Sequence, residues 1–221
     1  TCALPIYGHT DARLILRVGG SMGDVYGQRL LKRDLNGYIL NEEGVGLTME
    51  NKETYLGSIL PKMNMGWSLG FGYKGVNLGM TFTGRFGGIV ISETQSVLDA
   101  AGVSKVSADV RDAGGVQINQ GKVSAQTYYQ AIQGTAAYYT YSATNVRLGE
   151  LSLSYTLPKK WFDNKVGMTV GLVGKNLWMI YCKAPFDPEL TTSAASNFYQ
   201  GFDAYMLPST RNFGFNIKFQ F

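Results

Sequence analysis

The sequence predicts an all-β fold, namely a segment of an antiparallel transmembrane β-barrel. Three observations support this prediction. The last eleven residues alternate without a break between polar or small residues and bulky apolar ones, so they form a strand with one apolar and one polar face. Charged residues make up only 16% of the chain, against roughly 25% in soluble globular domains. Short and long connections alternate between the predicted strands, as periplasmic turns and extracellular loops do in outer-membrane barrels.

The clearest strand pair lies in the first half of the chain. Residues 65–73 and 76–86 alternate with period two on either side of Lys74-Gly75, which predicts a hairpin with a two-residue turn. Each arm has the length of about 9 to 11 residues that a tilted strand needs to cross the hydrocarbon. Further strands are predicted by the same alternation, a second pair at 150–157 and 166–175 and a weaker single strand at 13–18.

With the terminal strand, this pattern gives about six membrane strands, which are too few to close a barrel. Bacterial barrels have at least about eight strands. An open sheet in lipid leaves two edges of unpaired backbone groups, each of which costs several kcal/mol. We therefore expect residues 1–221 to be the C-terminal portion of a larger β-barrel.

The long connections are expected to carry structure of their own. A hairpin is predicted at 30–41, and short helices at 93–101 and 124–132. Each helix is closed by a nearby glycine, Gly102 or Gly134. Loops of this length usually carry function. The long connections are 19–64, 87–145 and 179–207.

Composition and residue patterns exclude several classes of function. The 20 basic and 16 acidic residues are spread along the chain without a basic cluster, so nucleic-acid binding is not expected. No apolar run of about 18 residues is present to form a transmembrane helix. Cys2 and Cys182 lack a metal-binding spacing, and His9 is the only histidine, so we expect no metal, no cofactor and no enzyme activity. A disulfide between the two cysteines stays open.

Several motifs give the chain a family resemblance. They are Gly-Asp-Val-Tyr-Gly at 23–27, the stretch 143–158, Gly-Lys-Asn-Leu at 174–177, Phe-Asp-Pro-Glu at 186–189 and Leu-Pro-Ser-Thr-Arg at 207–211. In this order and over nearly the whole chain, the sequence resembles the C-terminal portion of the SusC/RagA family of TonB-linked, or TonB-dependent, outer-membrane transporters.

The resemblance implies a nutrient-uptake function. It implies a barrel of about 22 strands with a plugged lumen, in the outer membrane of a Gram-negative bacterium. Such a barrel would import glycans, oligosaccharides or peptides, with a SusD-like lipoprotein as its lid and with energy supplied through the TonB complex. The plug domain and the segment that contacts TonB are absent from this chain, so it would contribute barrel wall, extracellular loops and an assembly signal.

The terminal strand is the predicted assembly signal. An exposed alternating strand offers β-augmentation to the barrel-assembly machinery before the sheet exists, and its last aromatic adds an anchor. The alternative, that the final aromatic only lies at the membrane interface, stays open. The apolar residues of this strand, which are also expected to face the lipid, are Phe213, Phe215, Ile217, Phe219 and Phe221.

Other candidate residues are charged. Arg85, Glu150 and Lys175 fall on predicted lumen-facing positions, where they could contact substrate or plug, since charge on the lipid face is costly. Asp187, Pro188 and Glu189 form an extracellular loop motif. Its two carboxylates could suggest calcium or a catalytic pair, but an ordinary loop shaped by proline is the favoured interpretation.

The positions around Arg147 interrupt a predicted strand. Val146 and Leu148 are out of step with the alternation that follows, so we expect a β-bulge or the membrane boundary there.

Two other classes of protein remain as alternatives. One is a structural or adhesive outer-membrane barrel that does not import. The other is a soluble lipocalin-like or sandwich protein whose alternating strands surround an internal core. The low charge and the row of phenylalanines in the terminal strand argue against the soluble alternative.

Overall fold

The structure is a computed structural model that describes residues 2–5, 11–42, 46–162, 166–190 and 201–220. The chain divides into two units. We call residues 61–87, 143–187 and 208–221 the sheet unit, and residues 1–60, 88–142 and 188–207 the mixed unit. Within the described ranges, no helix has the length and apolar character needed to cross a membrane.

The sheet unit is built on one antiparallel sheet of five strands. The strands are β7 (Met63–Tyr73), β8 (Val76–Phe86), β13 (Asn145–Thr156), β14 (Gly167–Cys182) and β16 (Asn212–Gln220). They are ordered β16-β14-β13-β8-β7, so that strands which follow each other along the chain of this unit lie side by side in the sheet.

The predicted hairpin at Lys74-Gly75 is confirmed. Tyr73 pairs with Val76, which leaves two residues in the turn. Both have positive φ, 46° for Lys74 and 87° for Gly75, as a type I′ turn requires. That turn twists in the same sense as the strands it joins, so it supports the full length of the hairpin.

The second predicted pair and its bulge are also confirmed. β13 pairs with β14 from Asn145 to Thr156, with register shifts between Val146 and Arg147 and between Leu148 and Glu150. The second shift recurs against β8, where Gly149 has no partner. On the facing strand, Asn176 adopts a positive φ of 54°. Asparagine tolerates this conformation better than most residues.

The described residues of the mixed unit form several strands, most of them short, and three α-helices. The strands of its two larger sheets are β1 (Cys2–Pro5), β2 (Arg13–Leu16), β3 (Asp24–Leu31), β6 (Met49–Ser58), β9 (Ile89–Ser92), β12 (Thr140–Ser142) and β15 (Phe202–Asp203). The four-stranded sheet has the order β1-β2-β3-β6, and the three-stranded sheet has the order β12-β9-β15. Two small pairs join β4 (Asn41–Glu42) to β5 (Gly46–Leu47) and β10 (Val116–Ile118) to β11 (Gly121–Val123).

The helices are α1 (Glu93–Ala100), α2 (Lys105–Asp112) and α3 (Ala125–Ile132). α1 and α3 confirm the predicted helices, and the glycines expected to close them, Gly102 and Gly134, have positive φ. A serine caps each helix, since the side chain of Ser92, Ser104 or Ser124 accepts a hydrogen bond from the first turn. The third helix, α2, was not predicted.

The prediction of a membrane strand at 13–18 is wrong. β2 ends at Leu16 and lies in the mixed unit. Consecutive residues Leu14 and Ile15 are both buried, and Val18 is fully exposed, so burial does not follow the alternation of the sequence. Leu14 instead joins a core cluster with Val25 and Ile91. Of the six membrane strands expected from the sequence, five are in the five-stranded sheet, and the one expected at 13–18 is in the mixed unit.

The segment 19–64 is not a single long loop. It contains β3 and β6, which pair with each other over most of their length. Of the hairpin predicted at 30–41, only the turn is present. An isolated antiparallel β-bridge between Arg33 and Ile39 closes this turn. Ile39 and Leu31 are buried in a second core cluster. Apart from these changes, the all-β fold with short helices in the connections is confirmed.

Candidate functional site: the two faces of the five-stranded sheet

One face of the five-stranded sheet is apolar across all its strands. The register places Phe71 opposite Leu78, Leu78 opposite Leu153, and Leu153 opposite Leu172, and residues directly opposite each other share a face. Leu172 is in turn opposite Phe215. The neighbouring rows are also apolar, with Gly84 and Gly174 as the exceptions, so we call this surface the apolar face.

The apolar face is not covered by the described parts of the chain. Phe71 is 58% exposed, Leu172 59% and Phe215 62%. Contiguous exposed apolar area of this extent marks a surface that contacts protein or lipid. The four described residues of the predicted assembly signal, Phe213, Phe215, Ile217 and Phe219, all lie on this face, while Phe221 lies outside the described residues.

The opposite face, which we call the polar face, carries serine, threonine, asparagine and glycine. Ser68 and Thr81 hydrogen-bond across β7 and β8 at 3.2 Å, and Thr156 and Thr169 do so across β13 and β14 at 3.2 Å. Most strand glycines of the sheet also lie here. The polar-face glycines are Gly66, Gly70, Gly72, Gly79, Gly167, Gly171 and Gly214.

The space next to these glycines differs from one position to the next. At Gly79 a Cβ would lie 2.6 Å from Ser152 Oγ, and at Gly171 it would lie 2.7 Å from Asn216 Oδ1. At Gly70 no atom lies within 4 Å of that position. A glycine-rich strand surface often marks the close approach of a ligand or another backbone. On the polar face such an approach is open at Gly70, whereas neighbouring side chains already fill the space beside Gly79 and Gly171.

Two of the predicted lumen-facing residues lie together on the polar face. Lys175 Nζ is 3.7 Å from Glu150 Oε2, and both side chains are largely exposed. With Ser152, Ser154 and Asn216 they border a shallow cavity of about 390 Å³. Arg85 is on the same face, but it pairs with Asn64 and Asn145, several residues along β8 from the position opposite Glu150. The structure therefore does not join the three charges into one site.

The loop motif at Asp187 contains an ion pair that sequence reasoning missed. Arg147 Nη2 donates to Asp187 Oδ1 at 2.7 Å, and Nη1 donates to Oδ2 at 3.0 Å. The two side chains are only 10% and 7% exposed. Asn145 Oδ1 accepts two further bonds from Arg147 at 3.3 Å. Both Asp187 oxygens are thus engaged by a cation, and this geometry favours the interpretation as an ordered loop.

The rest of the loop motif does not gather around this pair. Pro188 is buried and Glu189 is exposed. No group of three or more His, Cys, Asp or Glu suited to a metal ion occurs among the residues that the structure covers. The thiol of Cys182 is free and donates to the Ala184 and Phe186 carbonyls at 3.5 and 3.6 Å. Among the described residues, the candidate site is therefore a sheet with one apolar face and one polar face.

Comparisons with known proteins give a fold likeness. No family model matches the chain, and no curated protein matches it. A solved structure of the RagAB peptide importer in the closed-closed state matches with a TM-score of 0.56 and 16% identity, over 96% of this chain and 25% of that one. A second structure, of the RagAB peptide transporter, matches with a TM-score of 0.49 and 20% identity, over 77% of this chain and 21% of that one.

The chain thus spans about a quarter of the length of the first of these structures. At this level of identity the likeness concerns the fold. The fold of this chain, an all-β fold with short helices in its connections, is shared with part of a chain in that importer structure.

Proposed function

We propose that this chain forms part of the wall of a TonB-dependent outer-membrane importer. In this proposal the apolar face contacts lipid and the polar face lines the lumen. The observation that carries it is the row-by-row register that keeps large apolar side chains on one exposed face across five strands. A soluble sheet would bury such a face against its own chain.

The polar face supports the importer over a purely structural barrel. Gly70 leaves open space on this face, and a plug domain would be a body that packs against the wall there. Glu150 and Lys175 would then contact plug or substrate. We assign no catalytic role to Asp187 or Glu189, since Arg147 already holds Asp187 in place.

The proposed cargo is a peptide or an oligosaccharide, delivered with the help of a SusD-like lipoprotein. The solved structure that shares the fold is described as a peptide importer, which favours peptides, and the motifs resemble a family that takes both classes. TonB would supply energy through the part of the protein outside this chain.

Uptake by cells that express the full-length protein tests the proposal. We expect accumulation of a fluorescently labelled peptide mixture or oligosaccharide mixture that requires both the gene and the proton-motive force. Accumulation that is unchanged by deletion of the gene, or insensitive to an uncoupler, contradicts import by this protein and favours the structural or adhesive barrel.

A matched pair of variants tests which face lines the pathway. Gly70→Trp adds a large side chain to the polar face, at a position where a Cβ would have no atom of the described chain within 4 Å. Leu69→Trp changes the adjacent residue, which is on the apolar face and 47% exposed. At equal amounts in the membrane, we expect Gly70→Trp to reduce uptake and Leu69→Trp to leave it unchanged. Equal effects of the two variants contradict the assignment of the faces.

A further inference from the structure

A second cavity, of about 360 Å³, lies among the three helices of the mixed unit. Its wall is formed by the C-terminal end of α1, by α2 and by the N-terminal end of α3, with Asp99, Gly102, Ser107, Arg111, Gln126 and Tyr129 among its residues. This volume falls within the range of roughly 300 to 1,000 Å³ that is typical of small-molecule sites.

Two opposite charges border the cavity without pairing with each other. Asp99 is only 5% exposed, and its Oδ1 accepts one hydrogen bond, from Gln95 Nε2 at 2.7 Å. A carboxylate accepts about four hydrogen bonds, so Asp99 retains acceptor capacity. Arg111 is exposed, and within the described chain no residue forms a hydrogen bond or ion pair with its guanidinium. A buried carboxylate is stabilised when a ligand supplies donors or positive charge.

Two helix ends also border the cavity, and Arg111 Nη1 lies 3.8 Å from the position of a Cβ at Gly102, just after α1. α3 begins at the cavity wall, where Ser124 Oγ accepts from the Thr127 N–H at 3.1 Å, and the other first-turn N–H groups have no partner within the helix. This end favours an anionic group. Asp99 lies in the last turn of α1, where the carbonyl ends of the helix also favour a cation. The ring of Tyr129 adds an apolar surface to the same wall.

We propose that this cavity binds a small zwitterion, an amino acid or dipeptide, with its carboxylate at Arg111 and its ammonium group at Asp99. A simple anion would be repelled by Asp99, and a metal cation would be repelled by Arg111 and find one carboxylate only. The site lies entirely in the mixed unit and requires no transport, so it stands independently of the importer proposal.

Calorimetric titration of the purified full-length protein in detergent tests the site, with the dipeptide alanyl-alanine as probe. We expect Arg111→Gln to weaken binding by about tenfold or more, because hydrogen bonds to charged groups contribute roughly 1.5–3 kcal/mol. Asp99→Asn is expected to weaken it by a similar factor. Lys105→Gln is the control, since Lys105 is exposed, pairs with Asp109 at 2.9 Å and does not line the cavity.

Blocked ligands separate the two charges without changing the protein. N-acetylalanyl-alanine lacks the ammonium group, and alanyl-alaninamide lacks the carboxylate, so each is expected to bind wild type at least about tenfold more weakly. The affinity for alanyl-alaninamide should also be unaffected by Arg111→Gln, because this ligand lacks the carboxylate that Arg111 would bind. Arg111 is exposed, so the substitution should leave the fold intact. Unchanged affinity in Arg111→Gln, no measurable binding of alanyl-alanine, or tighter binding of glucuronate than of alanyl-alanine overturns the proposal.

Discussion

Replacing Arg147 with methionine removes the cation from a buried ion pair and leaves the Asp187 carboxylate without its main partner. The two side chains are 10% and 7% exposed and are joined by two hydrogen bonds of 2.7 and 3.0 Å. Breaking a buried pair by removing one partner costs about 3–5 kcal/mol. We therefore expect Arg147→Met to lower the free energy of unfolding by about that amount.

The same strand provides a matched control. Glu150 lies three residues further along β13, and its pair with Lys175 is 3.7 Å long with side chains 44% and 61% exposed. Exposed pairs contribute about 0–1 kcal/mol, so Glu150→Gln should have little effect. The double variant Arg147→Met/Asp187→Leu should recover most of the loss, because it removes both charges together.

Urea unfolding of the full-length protein in detergent, followed by tryptophan fluorescence, measures these differences. Trp178 reports on the region directly, since it is opposite Leu148 on the neighbouring strand. A loss in Arg147→Met no larger than in Glu150→Gln, or a double variant as unstable as the single one, would refute the view that this ion pair holds the loop that follows β14 in place.

Three further predictions concern the turn, the tyrosines and the chain end. Gly75→Ala should cost about 1–3 kcal/mol in the same unfolding assay, because Gly75 has a φ of 87° and a Cβ there would lie 2.8 Å from the Thr156 carbonyl oxygen; a loss equal to that of Gly70→Ala would contradict the turn geometry. Burial raises the pKa of Tyr128 and Tyr141 to about 12, against about 10 in the unfolded chain, so their contribution to stability is complete below about pH 10 and is lost as the pH rises toward 12. Substitution of both by phenylalanine should flatten this loss, whereas phenylalanine at exposed Tyr38 should not, and an unchanged pH profile would count against their burial. Deletion of Phe221 should reduce outer-membrane insertion of the full-length protein, and unchanged heat-modifiable mobility and surface-protease access would argue against an assembly signal.

The sequence predicts the elements whose signals are local. The hairpin at Lys74-Gly75 follows from two alternating runs around a turn pair, and the bulge near Arg147 follows from an interrupted alternation. The helices α1 and α3 follow from their composition and from Gly102 and Gly134. In each case the residues that specify the structure are neighbours in the chain.

The missed elements depend on distant contacts or on weak signals. β6 pairs with β3 through two register shifts, which obscure its alternation. Arg147 and Asp187 are 40 residues apart, and no spacing rule joins them. α2 has the same length as α1 and α3 but is more polar. Its Ser104 cap and the Lys105–Asp109 pair are signals that could have identified it.

Spin labels along β16 measure whether the apolar face of the sheet contacts lipid, as we propose. Single cysteines from Asn212 to Gln220, in a protein with Cys2 and Cys182 replaced by serine, would carry a nitroxide in the reconstituted full-length protein. We predict that accessibility to oxygen, which is concentrated in lipid, peaks at Phe213, Phe215, Ile217 and Phe219, and that accessibility to a polar nickel chelate is in the opposite phase. Oxygen accessibility that lacks a two-residue period would contradict lipid contact by the apolar face. Oxygen accessibility that peaks at the polar-face residues instead would also contradict it.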